Sequence, residues 1–390
     1  MIAHDSDHGS FVANGPGAPL RLKWRAEPPS SERFTTWPIA VGGTVIASSG
    51  FGVLAVDASV GRKRWYSEFP EGQIIASPAS DGKVAYVPLD KGIVAALNIG
   101  TGNTEWKVDL HGQVNSSPVL SGNHLCMAMS KPEVVCLKSN SGAVDWTTTT
   151  SFIPDSSPAV ASGILIVPTN DPTSEQGLLL ALDVNSGSPL WQVEQKENNS
   201  SPSILDDKVV FGGGDLFAYA VDLKTGKQIW KSPVEGKFGP QNSPAVAYGD
   251  VFLADRIGNI YRLDGKTGKR KWIFRDTIGT FDQSFPVVAG KTLYIGSGAG
   301  WLYGVDVDTG HLVWKYHLGG FILSGAADDK HFYFGVKFSH EGLYAFEHDP
   351  NSKRISKATP NIVGSVLLVF LVIGAFIVAM VLMNRKPRSP

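Results

Sequence analysis

The chain has 390 residues and a formal net charge of −1, with 43% hydrophobic and 18% charged residues. That hydrophobic share excludes wholesale disorder, and the balanced charge, without a basic stripe, excludes a typical nucleic-acid-binding protein. The 43 glycines and 24 prolines are spread along the chain, which favours many short strands joined by tight turns.

The N-terminal residues, MIAHDSDHGSFVANG, contain neither a basic n-region nor an apolar h-region, so they do not have the pattern of a signal peptide. We expect residues 1–19 to be a flexible tail. Without a signal sequence the body of the chain would lie in the cytosol, and a gene start placed too far downstream would give the same appearance.

Eight tryptophans recur at intervals of 39 to 45 residues, beginning in a predicted strand at Leu20–Ala26. A fixed period in this range is typical of repeat architectures. The repeated residues are Trp24, Trp65, Trp106, Trp146, Trp191, Trp230, Trp272 and Trp314.

Residues 284–314 show one unit of the repeat. Short strands with alternating apolar positions, at 287–288, 293–296 and 302–305, precede a turn and a fourth strand that carries Trp314. Four such strands describe one blade of a β-propeller. The turn before the tryptophan needs glycine for its positive φ and opens with an aspartate that can bond to the backbone two residues on. We therefore interpret the repeated aspartates as turn formers: Asp57, Asp183, Asp222, Asp264 and Asp306.

The strand count predicts an all-β, eight-bladed propeller over residues 20–346. Three-strand groups between consecutive tryptophans give seven blades, and an eighth follows Trp314 without a tryptophan of its own. The predicted strand Leu20–Ala26 can supply the missing outer strand, which would close the ring and tie its two ends together.

The repeat resembles the pyrroloquinoline-quinone (PQQ)-like propeller family over about residues 20–350. Four fragments carry the resemblance: Ser116-Ser117-Pro118, Leu293-Tyr294-Ile295-Gly296-Ser297, Leu179-Leu180-Ala181-Leu182-Asp183, and Thr225-Gly226 with Trp230. The resemblance implies an eight-bladed ring whose tryptophans dock between neighbouring blades. Members of this family are either quinoprotein dehydrogenases or non-catalytic scaffolds, such as the lipoprotein of the bacterial outer-membrane β-barrel assembly machinery.

The chain resembles the scaffolds more closely than the dehydrogenases. The dehydrogenases carry a vicinal cysteine pair beside the quinone, a cation site built from Glu, Asn and Asp, and large insertions around the pocket. Here no two cysteines are adjacent and the blades are close to minimal length. We therefore expect no enzymatic activity, no cofactor and no metal site; the alternative is a dehydrogenase that uses PQQ and calcium.

A small ligand would best fit the axial channel, which the innermost strands line. The position before the Ser-Pro motif offers polar side chains in five consecutive blades, with Ile75 and Ile322 flanking this arc: Asn115, Asp155, Asn199, Gln241 and Gln283. Such an arc could bind a polar solute or a peptide terminus, which would make the protein a sensor. A water-filled channel needs polar walls in any case. Without a glutamate nearby, the arc is a poor calcium site.

The two cysteines, Cys126 and Cys136, flank a predicted turn at Ser130–Glu133 and could face one another across paired strands. They could form a disulfide, which would suit an oxidising compartment, or they could be two small buried hydrophobic residues.

The segment Ile362–Met383 has 22 residues without a charge, enough to span a bilayer as a helix. We predict a linker at 347–361, a single membrane-spanning helix at 362–383 and a short basic tail at 384–390. Three basic residues on each side leave its orientation open. Family resemblance favours the propeller on the extracytoplasmic side, and the N-terminal pattern favours the cytosol; we expect the former.

Together these features predict a membrane-anchored, non-catalytic scaffold that binds a protein or peptide partner through its rim loops or the channel mouth.

Overall fold

The computed structural model describes residues 10–29, 33–114, 116–154, 156–196, 200–235, 239–240, 242–276, 280–281 and 284–352. Within these ranges the ordered elements are all β-strands. No helix in them is long and apolar enough to cross a membrane. The predicted helix at 362–383 and the tail at 384–390 lie outside the described residues, as does most of the predicted linker.

Two strands precede the first blade, namely β1 (Phe11–Val12) and β2 (Leu20–Ala26). The first four blades then follow in chain order, each beginning with its innermost strand. Blade 1 contains β3 (Ile39–Val41), β4 (Thr44–Ser49), β5 (Gly52–Asp57) and β6 (Lys63–Glu68). Blade 2 contains β7 (Ala79–Ser80), β8 (Val84–Pro88), β9 (Ile93–Asn98) and β10 (Thr104–Asp109). Blade 3 contains β11 (Val119–Ser121), β12 (His124–Ala128), β13 (Glu133–Lys138) and β14 (Val144–Thr149). Blade 4 contains β15 (Ile153–Pro154), β16 (Ala159–Ala161), β17 (Ile164–Asn170), β18 (Gln176–Asp183) and β19 (Pro189–Lys196).

The second half of the ring has the same order. Blade 5 contains β20 (Ser203–Leu205), β21 (Lys208–Gly212), β22 (Phe217–Asp222) and β23 (Gln228–Pro233). Blade 6 contains β24 (Ala245–Ala247), β25 (Asp250–Ala254), β26 (Asn259–Asp264) and β27 (Arg270–Arg275). Blade 7 contains β28 (Val287–Ala289), β29 (Thr292–Gly296), β30 (Trp301–Asp306) and β31 (Leu312–His317). Blade 8 contains β32 (Phe321–Ala327), β33 (His331–Lys337) and β34 (Gly342–His348). Inside each blade the neighbouring strands are antiparallel, and the described residues form eight sheets.

The N-terminal strand β2 closes the ring, as the sequence predicts. It pairs antiparallel with β34, from Leu20 opposite His348 to Ala26 opposite Leu343, and so supplies the outer strand of blade 8. The innermost strand of blade 8 contacts that of blade 1, so the ring has no gap. Blade 8 extends two residues beyond its predicted end, because Glu347 and His348 belong to β34 rather than to the linker.

Tryptophans join each blade to the next. All eight repeated tryptophans lie in the described residues, and seven of them donate from Nε1 to a backbone carbonyl of the following blade. Trp106, for example, donates to the Ser139 carbonyl at 2.9 Å. The turn glycine of that blade lies flat against the indole, so that a Cβ added at Gly142 would be 2.6 Å from the Trp106 ring. The glycine is thus required both for its positive φ, 72° at Gly142, and for this close approach.

Serines of the Ser-Pro motif form a belt of hydrogen bonds between the innermost strands. The backbone N–H of Ser77 donates to the Ser117 hydroxyl at 3.0 Å, and Ser117 repeats the contact with Ser157. The motif is therefore structural, since the hydroxyls of Ser77, Ser117, Ser157 and Ser201 each accept a backbone N–H of the preceding blade. The repeated aspartates are turn formers, as predicted: Asp57 accepts the N–H of Ser59 at 2.9 Å.

Cys126 and Cys136 lie directly opposite one another on β12 and β13 and form a buried disulfide. Of the two alternatives that the sequence leaves open, the structure has the disulfide.

Candidate functional site

The predicted channel arc cannot be placed, because Asn115, Asp155, Asn199, Gln241 and Gln283 all lie outside the described residues. The two isoleucines expected to flank it differ from one another. Ile75 is 42% exposed, whereas Ile322 is fully buried and packs against Gly296. Ile322 belongs to β32 and packs in the hydrophobic layer between blades 7 and 8, and equal depth of these positions around the channel stays a prediction.

The described residues do form a cavity elsewhere, on the rim between blades 4 and 5, with a volume of about 450 Å³. We call it the rim cavity. Its lining residues are Phe152, Glu175, Gln176, Gly177, Leu178, Glu194, Gln195, Lys196 and Tyr219.

An extension of blade 4 builds this cavity. Strand β19 has eight residues and ends five after Trp191, whereas β23 has six and ends three after Trp230. The two additional residues are Gln195 and Lys196, which pair with Gly177 and Gln176 at the extended start of β18. The 45-residue interval that ends at Trp191, the longest of the series, contains the long strands β17 and β18, of seven and eight residues, whereas Gln195 and Lys196 follow it.

Gln195 gives the cavity its chemical character. It lies on the same face of β19 as Trp191 and Val193, the face that packs towards blade 5. Both its Nε2 and its Oε1 are shielded from solvent, and neither has a hydrogen-bond partner in the described chain. A buried amide left unpaired costs about 1–3 kcal/mol for each group. The site therefore holds one donor and one acceptor, side by side and unused.

Tyr219 forms the wall on the side of blade 5 and is held rigidly. Its hydroxyl donates to Asp215 at 2.5 Å, and its ring stacks on Phe211 with 5.3 Å between centroids. Lys231 pairs with Asp215 at 3.0 Å and lies over the Phe217 ring. Burial, and then the hydrogen bond to Asp215, raise the pKa of Tyr219. The phenol is therefore protonated at neutral pH and presents an apolar face.

Charged side chains surround the cavity mouth. Glu175 and Lys196 form an ion pair at 3.1 Å and are 82% and 55% exposed, and Glu194 is also exposed. Exposed pairs of this kind contribute little to stability, on the order of 0–1 kcal/mol. The cavity is thus lined by apolar side chains from two directions, Phe152 and Leu178 on the side of blade 3 and Tyr219 on the side of blade 5, and it carries charged side chains at its mouth, a combination typical of ligand and peptide pockets.

Other clusters of titratable groups have structural roles. Among the described residues no group of three or more His, Cys, Asp or Glu side chains could hold a metal ion. His331, the most buried histidine of blade 8, lies 3.4 Å from Asp328 at the junction with blade 1. Burial opposes ionisation of Asp328, but the neighbouring His331 side chain, the Tyr333 hydroxyl and two backbone N–H groups outweigh it and lower its pKa to about 2. Asp328 accordingly acts as a charged turn former.

Sequence reasoning missed Gln195. In the sequence it is one amide on an outer strand, and nothing local distinguishes it from Gln192 on the same strand. The available signal was the long interval before Trp191, which indicates extra residues in blade 4 but not the direction in which their side chains point.

Comparisons with known proteins agree with the architecture. A sequence model of the family described as "Outer membrane protein assembly factor BamB" matches residues 21–113, 90–243 and 177–322, which together span 21–322. The chain matches no curated protein by sequence.

Solved structures with the same fold differ in function. The crystal structure of BamB from Moraxella catarrhalis superposes with a TM-score of 0.70 at 16% identity, covering 84% of this chain and 99% of that one. A quinohemoprotein alcohol dehydrogenase from Pseudomonas putida HK5 gives 0.73 at 12% identity, covering 89% and 80%. The computationally designed protein Ika8 gives 0.70 at 12% identity, covering 84% and 100%. At these identities the structural likeness establishes the fold alone, and activity must be argued from the site.

Proposed function

Because the chain belongs to the family of the outer membrane protein assembly factor BamB, we propose that it is a non-catalytic scaffold that binds an extended segment of a partner protein. The rim cavity is the proposed binding site. The family description supports a role in protein assembly, and the propeller supplies a rigid ring on which such a site can be held.

The unpaired amide of Gln195 is the observation that carries this proposal. A peptide group offers one N–H and one C=O, which match the Oε1 acceptor and the Nε2 donor of Gln195 once the side chains that shield these atoms from solvent move aside. Tyr219 supplies apolar surface on the face of blade 4 that carries Gln195, and Phe152 and Leu178 supply it on the face towards blade 3. A partner that presents one backbone peptide group to Gln195, next to an apolar side chain, would satisfy both parts of the site.

Membrane attachment is part of the same proposal. The uncharged segment 362–383 anchors the propeller, and the disulfide between Cys126 and Cys136 supports placement on the extracytoplasmic side, where disulfides persist. Cleavage of the propeller by protease added to intact cells would support this placement; protection until the cells are lysed would contradict it.

Replacing Gln195 with leucine is expected to weaken binding and to strengthen the fold. Two lost neutral hydrogen bonds lower affinity about tenfold, whereas removal of an unpaired buried amide raises the free energy of unfolding by about 1 kcal/mol. The probe is the peptide acetyl-Ala-Phe-Val-Ala-amide, titrated into the full chain and into the variant and followed by isothermal titration calorimetry, and urea unfolding measures the stability of both.

Gln192→Leu is the matched control, because Gln192 is exposed on the same strand and does not line the rim cavity. It should change neither affinity nor stability measurably. A depsipeptide with the central amide replaced by an ester should bind more weakly than the peptide. If Gln195→Leu lowered stability and left binding unchanged, Gln195 would be a structural residue and the proposal would fail.

The rival function is a PQQ- and calcium-dependent dehydrogenase, and a third is a sensor of a polar solute bound near Asp155. We propose that neither activity is present, since the chain lacks the vicinal cysteines that mark the quinone site in the enzymes it resembles. Incubation with PQQ and calcium tests this directly: stoichiometric quinone absorbance with dye reduction by alcohols or sugars would establish the enzyme instead. For the sensor, loss of ligand-induced thermal stabilisation in Asp155→Ala would be required.

A further inference from the structure

The N-terminal segment does not form a free tail over its described part. The sequence predicts a flexible tail at 1–19, whereas Phe11–Val12 form β1, which pairs parallel with β28. Val288 donates its N–H to the Ser10 carbonyl at 2.9 Å, and Gly290 donates to the Val12 carbonyl at 2.9 Å. Ser10 and Val12 are buried, with 3% and 6% of their surface exposed.

This pairing takes place at the edge of blade 7 that faces the propeller axis. Strand β28 is the innermost strand of its blade, with β29 on its other edge, so β1 lies inside β28. In the described parts of the other blades the innermost strand ends the sheet, as β7, β11 and β24 do. Those edges show that an innermost strand does not need an additional partner to be part of a stable blade.

The contacts that hold β1 are few. Strand β1 has two residues, against seven in β2, and Ala13 and Asn14, which follow it, are exposed. The Phe11 ring meets the edge of Tyr248 with 4.9 Å between centroids. Tyr248 itself is fixed, because its hydroxyl donates to Gly290 and Lys291 lies over its ring at 4.2 Å. The surface against which β1 packs is therefore held in place by contacts of its own, whereas β1 is short.

The residues after β1 have separate anchors. Tyr294 donates its hydroxyl to the Pro16 carbonyl at 3.0 Å, and the Ala18 N–H donates to Thr292 at 3.0 Å. From Leu20 onward the chain belongs to the closing strand β2. Residues 10–14 could leave the edge of β28 while the anchors at 16–18 and the closed ring stay in place.

We propose that the channel-facing edge of β28 is a binding site for an extended peptide and that Ser10–Val12 is its resident occupant in cis. The site takes a segment that runs parallel to β28 and carries an aromatic residue followed by a β-branched one. The aromatic ring packs on Tyr248, and the backbone accepts from the N–H groups of Val288 and Gly290. Such strand addition supplies affinity through main-chain bonds and selectivity through alternate side chains. This site is separate from the rim cavity and goes beyond the function proposed for it.

The test compares the full chain with a variant that lacks residues 1–14. The probe is a fluorescent peptide with the sequence of residues 8–14, HGSFVAN, measured by anisotropy. A tethered competitor acts at roughly millimolar effective concentration. The deletion variant should therefore bind the peptide at least tenfold more tightly than the full chain. In a parallel pair with this register the Val12 N–H faces the Val288 carbonyl, so the peptide methylated on the nitrogen of that valine should lose binding.

Equal affinity of the peptide for the full chain and for the deletion variant would overturn the proposal. Equal affinity of the methylated and the unmethylated peptide for the deletion variant would also overturn it. If circular dichroism shows that the deletion variant does not fold, Phe11→Ala in the full chain provides the second test. This substitution weakens the contact of β1 with Tyr248 and should raise the affinity for the added peptide. An unchanged affinity would contradict the site. Both proteins are also measured with Gln195→Leu in place, which removes the rim cavity as a second site for this peptide and makes the comparison independent of the rim-cavity proposal.

Discussion

Replacing Gly142 with alanine is expected to lower the free energy of unfolding by about 3 kcal/mol, with about 1–2 kcal/mol from the left-handed backbone and the rest from overpacking. The new Cβ would lie 2.6 Å from Cε3 of Trp106, whose indole is held by a 2.9 Å hydrogen bond to Ser139. The ring cannot retreat without breaking that bond. The same contact recurs around the propeller, so the effect reports on how blades are joined.

Gly122 in the same blade is the matched control for this substitution. Its φ is also positive, at 58°, but no atom lies within 4 Å of an added Cβ. Gly122→Ala should therefore cost only the backbone part, about 1 kcal/mol. Urea unfolding followed by circular dichroism measures both variants. Equal losses in the two variants would show that the tryptophan contact does not hold the blades together.

Removing the carboxylate of Asp250 is expected to cost about 3–5 kcal/mol, because it takes away the buried partner of Arg262 and Lys271 and leaves them only the longer ion pairs to Asp308 and Asp264. Asp250 is 2% exposed and accepts from Arg262 Nε at 2.6 Å and from Lys271 Nζ at 2.7 Å. The Arg262 side chain is itself only 12% exposed, and it also donates to the Val307 carbonyl of blade 7 at 2.7 Å. The Asp250→Ala variant therefore loosens blade 6 and its junction with blade 7.

An ion pair with an exposed carboxylate in the neighbouring blade provides the comparison. Asp207 and Lys208 lie 2.6 Å apart, with Asp207 70% exposed, so Asp207→Ala should cost less than about 1 kcal/mol. Thermal unfolding of both variants at two salt concentrations separates the cases, since screening affects the exposed pair alone. A loss below 1 kcal/mol for Asp250→Ala would mean that the pair is not structurally important.

Much of the fold could be predicted because its signals are local and repeated. The tryptophan period sets the blade length, and the turn before each tryptophan sets the register of the outer strands. The absence of a tryptophan after Trp314 indicated that Leu20–Ala26 closes the ring, which the pairing of β2 with β34 confirms. These inferences needed only spacing and turn chemistry.

The features that could not be predicted depend on contacts between distant parts of the chain. Phe11 and Val12 have no pattern that names β28 as their partner, because a two-residue parallel pairing has no sequence signature. The serines of the Ser-Pro motif could be recognised as a repeat, but their hydrogen bonds run between blades. Gln195 became notable only when its side chain was seen to point towards blade 5 without a partner.

Photo-cross-linking from the rim cavity in the native cell tests the proposed scaffold function most directly. A benzoylphenylalanine at Glu194, which lines the cavity, should form an adduct with one partner protein; the same group at Gln192, outside it, should not. Adding Gln195→Leu to the first variant should lower the yield of the adduct, in line with the expected tenfold loss of affinity. Adducts of equal yield from both positions, or an undiminished yield with Gln195→Leu, would contradict binding of a protein segment in the rim cavity.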